Sequence, residues 1–264
     1  MRIRLDTYLY ERGLFESRAK ASAAVLEGLV LVDGRSTVKP GTQVTGGEEI
    51  EVLNPAKAFV SRGGIKLERA LDVFKVDVSG RSALDVGSST GGFTECLLNR
   101  GAARVISLDA GKGQLHLKLR QEPRVTVLEG FNARYLKPED LPFVPSLATV
   151  DVSFISLRKV IEPAMDVLAD EEIVALVKPQ FEAGRRSVSK GGVVRDPDVH
   201  VEVLNGLLSW LEERDLVLCG VVASPIKGPK GNIEYFFHIK RQAESSVDEG
   251  HIAAEVRRAN EELA

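Results

Sequence analysis

One run of small residues limits what this chain can fold into. Ala83-Leu84-Asp85-Val86 reads as the end of a buried strand, Gly87-Ser88-Ser89-Thr90-Gly91-Gly92 breaks it, and a helical pattern resumes at Phe93-Thr94. Strand, small-residue turn and helix make the first crossover of a doubly wound α/β domain. Glycine lets a backbone come close to a ligand, and a helix N-terminus offers it unpaired N–H groups. No Lys-Ser/Thr pair follows the glycines, which excludes a Walker loop, and the spacing departs from the strict GxGxxG of dinucleotide binders. An acidic strand end followed by GxxxGG suits a ligand with a cationic amino-acid head. The expected contacts are Asp85, Gly87, Ser88, Ser89, Thr90, Gly91, Gly92 and Phe93. Gly87 and Gly91 should tolerate no side chain, because bulk there would displace the ligand.

From residue 82 onward strands and helices alternate. Strands are predicted over 82–86, 105–108, 125–128, 148–150, 173–177, 216–223 and 233–239, with helices including 93–100, 157–168 and 199–214 between them. Such alternation implies an α/β, Rossmann-like domain with a mainly parallel seven-stranded sheet. Residues 224–232 are too few for a crossover helix, so the last two strands should pair antiparallel. Ligands of open parallel sheets lie beyond the carboxyl ends of the strands. The second strand ends there on Asp109, a carboxylate suited to ribose hydroxyls, and the third is followed by Phe131-Asn132, an amide suited to an adenine edge. A nucleoside with a cationic amino-acid head is S-adenosylmethionine, the expected cofactor.

The N-terminal segment follows another pattern. Leu5, Leu9 and Leu14 mark a short helix, and Ser17 caps a second one with Ala21, Ala24 and Val25 on its apolar face. Residues 29–32, 44 and 49–52 read as strands around the turn Asp33-Gly34. Arg4-Leu5-Asp6, Ser17-Arg18, Gly28, Val30, Val32, Gly34 and Lys39-Pro40-Gly41 give this segment its resemblance to the S4 RNA-binding domain, a small α+β unit. Arg4, Arg18, Lys20, Arg35 and Lys39 can converge on phosphates as positioning contacts. Net charge is −3, so no global basic field draws nucleic acid, and the basic surface must be one-sided. The expected organisation is a domain over 1–54, a linker over 55–60 around Pro55, a catalytic domain over 61–242 and a polar, loosely docked helix over 243–264.

Four charged residues stand at the active edge of the sheet. Lys66 sits in the first turn of the helix opened by Ser61-Arg62-Gly63-Gly64, where a cation opposes the helix dipole. Asp151 ends the fourth strand, Lys178 ends the fifth and Glu234 begins the last. With LDVGSSTGGFT, SRGGIKL, VDVSFISL, LVKPQFE and NIEYFF, the chain resembles the TlyA group of ribosomal RNA 2′-O-methyltransferases, also described as haemolysins, over about residues 2–240. The resemblance implies an S4 domain joined to an FtsJ-like catalytic domain. It also implies Lys66, Asp151, Lys178 and Glu234 as catalytic tetrad, S-adenosylmethionine as methyl donor, and a cytidine ribose of rRNA within ribosomal subunits as acceptor. A ribose hydroxyl needs a base as the methyl arrives, and a lysine serves when a neighbouring cation or burial favours its neutral form. Lys178 is the candidate base, with Asp151 orienting it and Glu234 positioning Lys66 or the ribose.

Other chemistries lack their residues. Amino-methylating enzymes carry Asp/Asn-Pro-Pro-aromatic where this chain has Asp151-Val152-Ser153-Phe154, and neither Cys96 nor Cys219 stands where a carbon-5 enzyme needs its nucleophile. Arg62, Arg185, Arg186, Lys190, Lys227 and Lys230 lie in or beside Gly-rich loops and are further expected RNA contacts. Four scattered histidines and two cysteines offer no zinc-like spacing, so no metal is expected. The absence of a signal peptide, a long apolar run or a paired cysteine pattern points to a cytoplasmic protein that spans no membrane, and a monomer is expected. Two rival readings are a non-catalytic RNA-binding assembly factor and a haemolysin-like membrane-active protein.

Overall fold

The computed structural model describes residues 2–26, 29–33, 35–36, 39–52, 59–184, 187–189, 191–243 and 246–263, with the backbone alone at 35, 36 and 51. The chain divides into two compact units, Met1–Arg62 and Gly63–Ala264. The expected linker, 55–60, falls mostly outside the described residues.

In the first unit β1 (Ile3–Arg4) leads into α1 (Leu5–Glu11), followed by α2 (Arg18–Leu26), β2 (Val30–Val32), β3 (Arg35–Ser36), β4 (Gln43–Val44) and β5 (Ile50–Val52). β1 pairs with β4, and β2 lies between β3 and β5. Ser17 Oγ accepts the Lys20 N–H at 3.2 Å, the cap its position predicts. Leu5, Leu9, Ala21, Ala24, Val25, Leu29, Val30 and Val44 form the small core. Leu14 is not part of it. Helix α1 stops at Glu11, leaving Leu14 47% exposed rather than on a continued apolar face.

The second unit runs α3 (Gly63–Phe74), β6 (Ser82–Val86), α4 (Gly92–Asn99), β7 (Arg104–Asp109), α5 (Leu117–Arg120), β8 (Val125–Glu129), β9 (Leu147–Val150), α6 (Ile161–Met165), β10 (Glu172–Val177), α7 (Pro179–Glu182), α8 (Pro197–Glu212), β11 (Val217–Ala223), β12 (Tyr235–Lys240) and α9 (Glu249–Leu263). The sheet order is β11-β12-β10-β9-β6-β7-β8. β12 is antiparallel to both neighbours, as the short connection demands. The other pairs are parallel. Period-2 alternation assigns the two faces. Tyr235, Phe237 and Ile239 join the core shared with α6, α8 and α9, while Phe236 meets Phe93 of α4 and His238 stacks on Phe74 of α3.

Two expectations need correction. Residues 157–168 do not form one helix: a 3-10 turn, Leu157–Lys159, precedes α6. Pro163 has no N–H for the Lys159 carbonyl and its ring crowds that group, so a helix cannot run unbroken from 157. Nor is the C-terminal helix loosely docked. Ile252, Val256 and Ala259 are fully buried in the main core, the Val247 N–H donates to Leu218 O at 2.7 Å, and Glu255 Oε1 accepts the Ala223 N–H at 2.5 Å. The thin apolar stripe is complete in what it covers, and the tail shields the edge strand β11. Burying Val256 alone contributes about 2 kcal/mol. Val256→Asp should therefore lower the thermal midpoint by roughly ten degrees or abolish cooperative melting, as followed by far-UV circular dichroism.

Candidate active site

The glycine turn works by close approach. Gly87 has φ +84°, and a Cβ built on it would lie 2.4 Å from the Asp151 carbonyl oxygen and 2.9 Å from its carbon. At Gly91, φ +100°, a Cβ would strike Leu119 Cδ1 at 2.2 Å and Leu115 Cδ1 at 2.8 Å. At both positions a side chain would meet protein neighbours before any ligand, and at Gly87 the neighbour is the loop carrying one of the four charged residues.

A cavity of 340 Å³ opens beyond the ends of β6, β7 and β9. Gly87, Ser89, Asp109, Gln114, Asn132 and Asp151 give it polar groups, and Leu108, Phe131, Val152, Ile155 and Val160 give it apolar walls. Asp109 accepts the Ser89 N–H on Oδ2 at 2.8 Å and the Gly111 N–H on Oδ1 at 2.6 Å, which fixes the carboxylate and leaves each oxygen a second lone pair. Asn132 Oδ1 caps the following 3-10 turn through Arg134 N at 3.2 Å. Glu129, held down to about 2 by Arg120 first and then by the Gly113 N–H, gathers the loop that carries Gln114. A carboxylate at a strand end, an amide and an apolar slot fit the ribose and adenine of S-adenosylmethionine.

The rest of the glycine stretch faces away. Asp85 is fully buried, with Oδ2 accepting from Thr94 Oγ1 at 2.6 Å and Oδ1 from Thr149 Oγ1 at 3.2 Å. Its expected contact with a cationic head is therefore corrected: the carboxyl lies inside the domain, tying α4 to β9. Ser88, Thr90, Gly91, Gly92 and Phe93 line neither this cavity nor the next. Phe93 packs on Phe236 with ring centroids 5.9 Å apart, and the Gly91 N–H turns back to Ser88 O. These residues shape the turn behind the cavities.

The four charged residues come together in a second cavity, of 510 Å³, which shares Gly87, Ser89, Asp151, Ser153 and Phe154 with the first. They form two ion pairs. Lys66 Nζ donates to Glu234 Oε2 at 2.6 Å, with side chains 10% and 2% exposed. Lys178 Nζ lies 2.5 Å from Asp151 Oδ1, off the alignment of a hydrogen bond, and donates to Ser153 Oγ at 2.9 Å. Gly228 makes room for the Glu234 carboxylate, since a Cβ there would meet Oε1 at 2.5 Å. Lys66 is thus no surface lysine, and Glu234 explains its place against the helix dipole. Lys230 also lines this cavity, with Val188, Gly192 and Asn232 on the same wall.

The remaining basic residues are scattered. Lys227 lies in the loop beside Gly228. Arg4 and Arg18 gather on Asp6, Lys20 pairs with Glu16, and Lys39 is exposed in the first unit, to which Arg62 also belongs. The side chain of Arg35, and Arg185, Arg186 and Lys190 altogether, lie outside the described residues. Sequence reasoning missed Gln114, Ser153, Phe154 and Gln180. Phe154 is 89% exposed at φ +63° and sits 5.0 Å from the Phe181 ring on the border of both cavities. Nothing in the local pattern announces a left-handed phenylalanine.

Residues 59–241 match the model of the FtsJ-like methyltransferases, and residues 3–50 match the S4 domain. The chain belongs to the FtsJ-like methyltransferase family. It is an S-adenosylmethionine-dependent methyltransferase carrying an S4 domain. It is 44% identical over 261 residues to the Mycobacterium tuberculosis 16S/23S rRNA (cytidine-2′-O)-methyltransferase TlyA, covering 98% of this chain and 97% of that protein. Hemolysin A of Brachyspira hyodysenteriae is 42% identical over 238 residues, covering 89% and 99%. A solved structure of a candidate haemolysin from Streptococcus thermophilus superimposes with TM-score 0.76 at 39% identity, covering 99% of this chain and 96% of that one. Among the described residues no helix is long and apolar enough to cross a membrane.

Two stability measurements test this electrostatic picture. Burial first, with Asp151 adding to it, raises the Asp85 carboxyl to about 7, against which the Thr94 bond acts. A raised acid stabilises the fold fully below its unfolded value of about 4, and that contribution is lost as pH rises through about 7. Asp85→Asn should accordingly gain in melting temperature relative to the wild type between pH 5 and 8; a constant difference would refute the assignment. Lys66→Met should cost about 3 kcal/mol, because Glu234 is left buried and unpaired. Lys178→Met should cost only about 1 kcal/mol, since its partner Asp151 keeps 24% exposure. Urea denaturation of both variants gives the comparison.

Proposed function

We propose that this chain methylates the 2′-oxygen of a ribose in ribosomal RNA, the ribose of a cytidine, within ribosomal subunits in the cytoplasm. The reading is carried by one observation: Lys66, Asp151, Lys178 and Glu234 line a single cavity that meets the donor cavity at Gly87 and Asp151. The name of the M. tuberculosis relative, a 16S/23S rRNA (cytidine-2′-O)-methyltransferase, supports the same acceptor.

S-adenosylmethionine, when bound, supplies a methyl group made electrophilic by its sulfonium. The protein contributes the rest. Once its ammonium has released a proton to solvent, the amine of Lys178 takes the proton of the 2′-hydroxyl as the oxygen attacks the methyl carbon and the C–S bond to the donor breaks. Asp151 and Ser153 hold the Lys178 Nζ at the border of the two cavities. Lys66, fixed by Glu234, presents an ammonium to the acceptor side, and Gln180 approaches the second Glu234 oxygen at 3.5 Å. Two oriented pairs of this kind contribute chiefly through alignment. Phe154 offers a flat face at the border, suited to a base drawn out of its stack. Lys227 and Lys230, with Arg185, Arg186 and Lys190 of the sequence, supply positive charge for RNA phosphates, and the S4 domain adds Arg4, Arg18, Lys20, Arg35 and Lys39.

Lys178→Ala should reduce ribose methylation of ribosomal subunits by at least about a hundredfold while S-adenosylmethionine still binds within about twofold of the wild type. Ribose-methylation mapping by mass spectrometry and calorimetric titration of the donor measure the two. Normal turnover in the variant excludes Lys178 as base. Absence of any ribose methylation by the wild type overturns the reading itself.

A further inference from the structure

The first unit contains a buried carboxylate that the reaction does not use. Asp6 opens α1 with its side chain only 4% exposed, yet it gathers the side chains of two arginines that are each about half exposed. Arg4 donates to it twice, Nε to Oδ1 at 3.1 Å and Nη2 to Oδ2 at 2.7 Å, in a fork-to-carboxylate arrangement. Arg18 brings Nε within 3.3 Å of Oδ2 from the start of α2, and Thr7 Oγ1 donates at 3.2 Å. The bond from Arg4, foremost, holds the carboxyl down to about 2, so it stays ionised through the ordinary pH range.

The neighbouring loop is shaped to the same end. The Leu5 N–H donates to Thr42 O at 2.8 Å and the Asp6 N–H to Pro40 O at 3.0 Å, which lays residues 40–42 against the head of α1. Between them stands Gly41, where a Cβ would lie 2.8 Å from Arg4 Nη1 and 3.3 Å from its Cζ. No left-handed backbone requires glycine at this place. The missing side chain is what lets the Arg4 guanidinium lie flat on the loop.

We infer that Asp6 and Gly41 are positioning residues for RNA: the carboxylate and the missing side chain hold the Arg4 and Arg18 guanidinium groups side by side as one seat for backbone phosphates. The cluster of two arginines and one aspartate keeps a net positive charge. Each guanidinium has five N–H donors, and Asp6 takes two from Arg4 and draws Arg18 in by an ion pair, leaving others for phosphate oxygens. Arginine side chains lose much rotamer freedom when they bind, and holding them beforehand reduces that loss on contact. An ordinary surface ion pair would leave its acid exposed and serve one cation; this acid is buried and serves two. The inference rests on the RNA reading proposed above.

Electrostatics alone and positioning make opposite forecasts. Removing a negative charge from an RNA-binding face should strengthen binding if charge is all that matters. If Asp6 arranges the arginines, Asp6→Asn weakens it. The full-length wild type, Asp6→Asn and Gly41→Ala would be titrated by filter binding against an unmodified 23S rRNA transcript over about 50 to 300 mM KCl. Asp6→Asn should bind roughly fivefold more weakly, with a salt slope shallower by about one. Gly41→Ala changes no charge and displaces only the tip of a flexible side chain, so it should melt like the wild type yet bind about threefold more weakly. Affinity for S-adenosylmethionine should be unchanged in both.

Equal or tighter RNA binding by Asp6→Asn, or wild-type binding by Gly41→Ala, overturns the inference. If Asp6→Asn does not fold, Gly41→Ala decides alone. Failure of the wild type to bind RNA in a salt-dependent way removes the RNA reading, and the inference with it, and is distinguished by being independent of either variant.

Discussion

Gly87 and the backbone of Asp151 stand closer than any side chain would allow, and the arrangement of both cavities depends on that approach. Adjacent parallel strands β6 and β9 end at the same edge of the sheet, in register from Ala83 opposite Leu147 to Val86 opposite Val150. One strand then turns into the glycine stretch and the other into the loop of Asp151, Ser153 and Phe154. With no Cβ between them, the two loops share a wall, so a group held against one lies beside a group held against the other. Catalysis by alignment requires such a shared border.

Electrostatics divides the second cavity into a fixed half and an adjustable half. Lys66 and Glu234 are nearly removed from water, and each would be costly without the other. Lys178 and Asp151 keep contact with solvent, and their ion pair lacks hydrogen-bond alignment. The proposed reaction would use the second kind of pair where a proton moves and the first where an orientation is kept. The same contrast runs through the donor side, where Asp109 is anchored by two backbone N–H groups at the cavity and Asp85 is buried beneath it.

Much of this was legible in the residue order. Apolar runs and their connections yielded the strands of the catalytic unit and the antiparallel last pair, because strand period and loop length are local properties. Asp109, Asn132, Asp151, Lys178 and Glu234 were singled out by their places at strand ends, which the topology of open sheets dictates, and Lys66 by its place in the first turn of α3. What failed depended on direction and on packing at a distance. Asp85 belongs to the motif but points inward, which only the Thr94 and Thr149 hydroxyls reveal. The C-terminal stripe looked too thin to dock, yet Ile252, Val256 and Ala259 match the gap left by α8 and β11. Phe154 and Gln114 carry no pattern of their own and enter the site through loops whose course is set by residues far away in sequence.

The reversed direction of β12 has a consequence for the order in which the site comes into being. A parallel strand delivers its last residue to the active edge, whereas an antiparallel one delivers the residue just before its first, which here is Glu234. The first cavity is drawn entirely from residues between Val86 and Val160. The second cavity stays without the Glu234 carboxylate, and Lys66 without its partner, until β12 has slotted between β10 and β11. A chain growing from its N-terminus therefore owns every residue that lines the first cavity long before it owns Glu234.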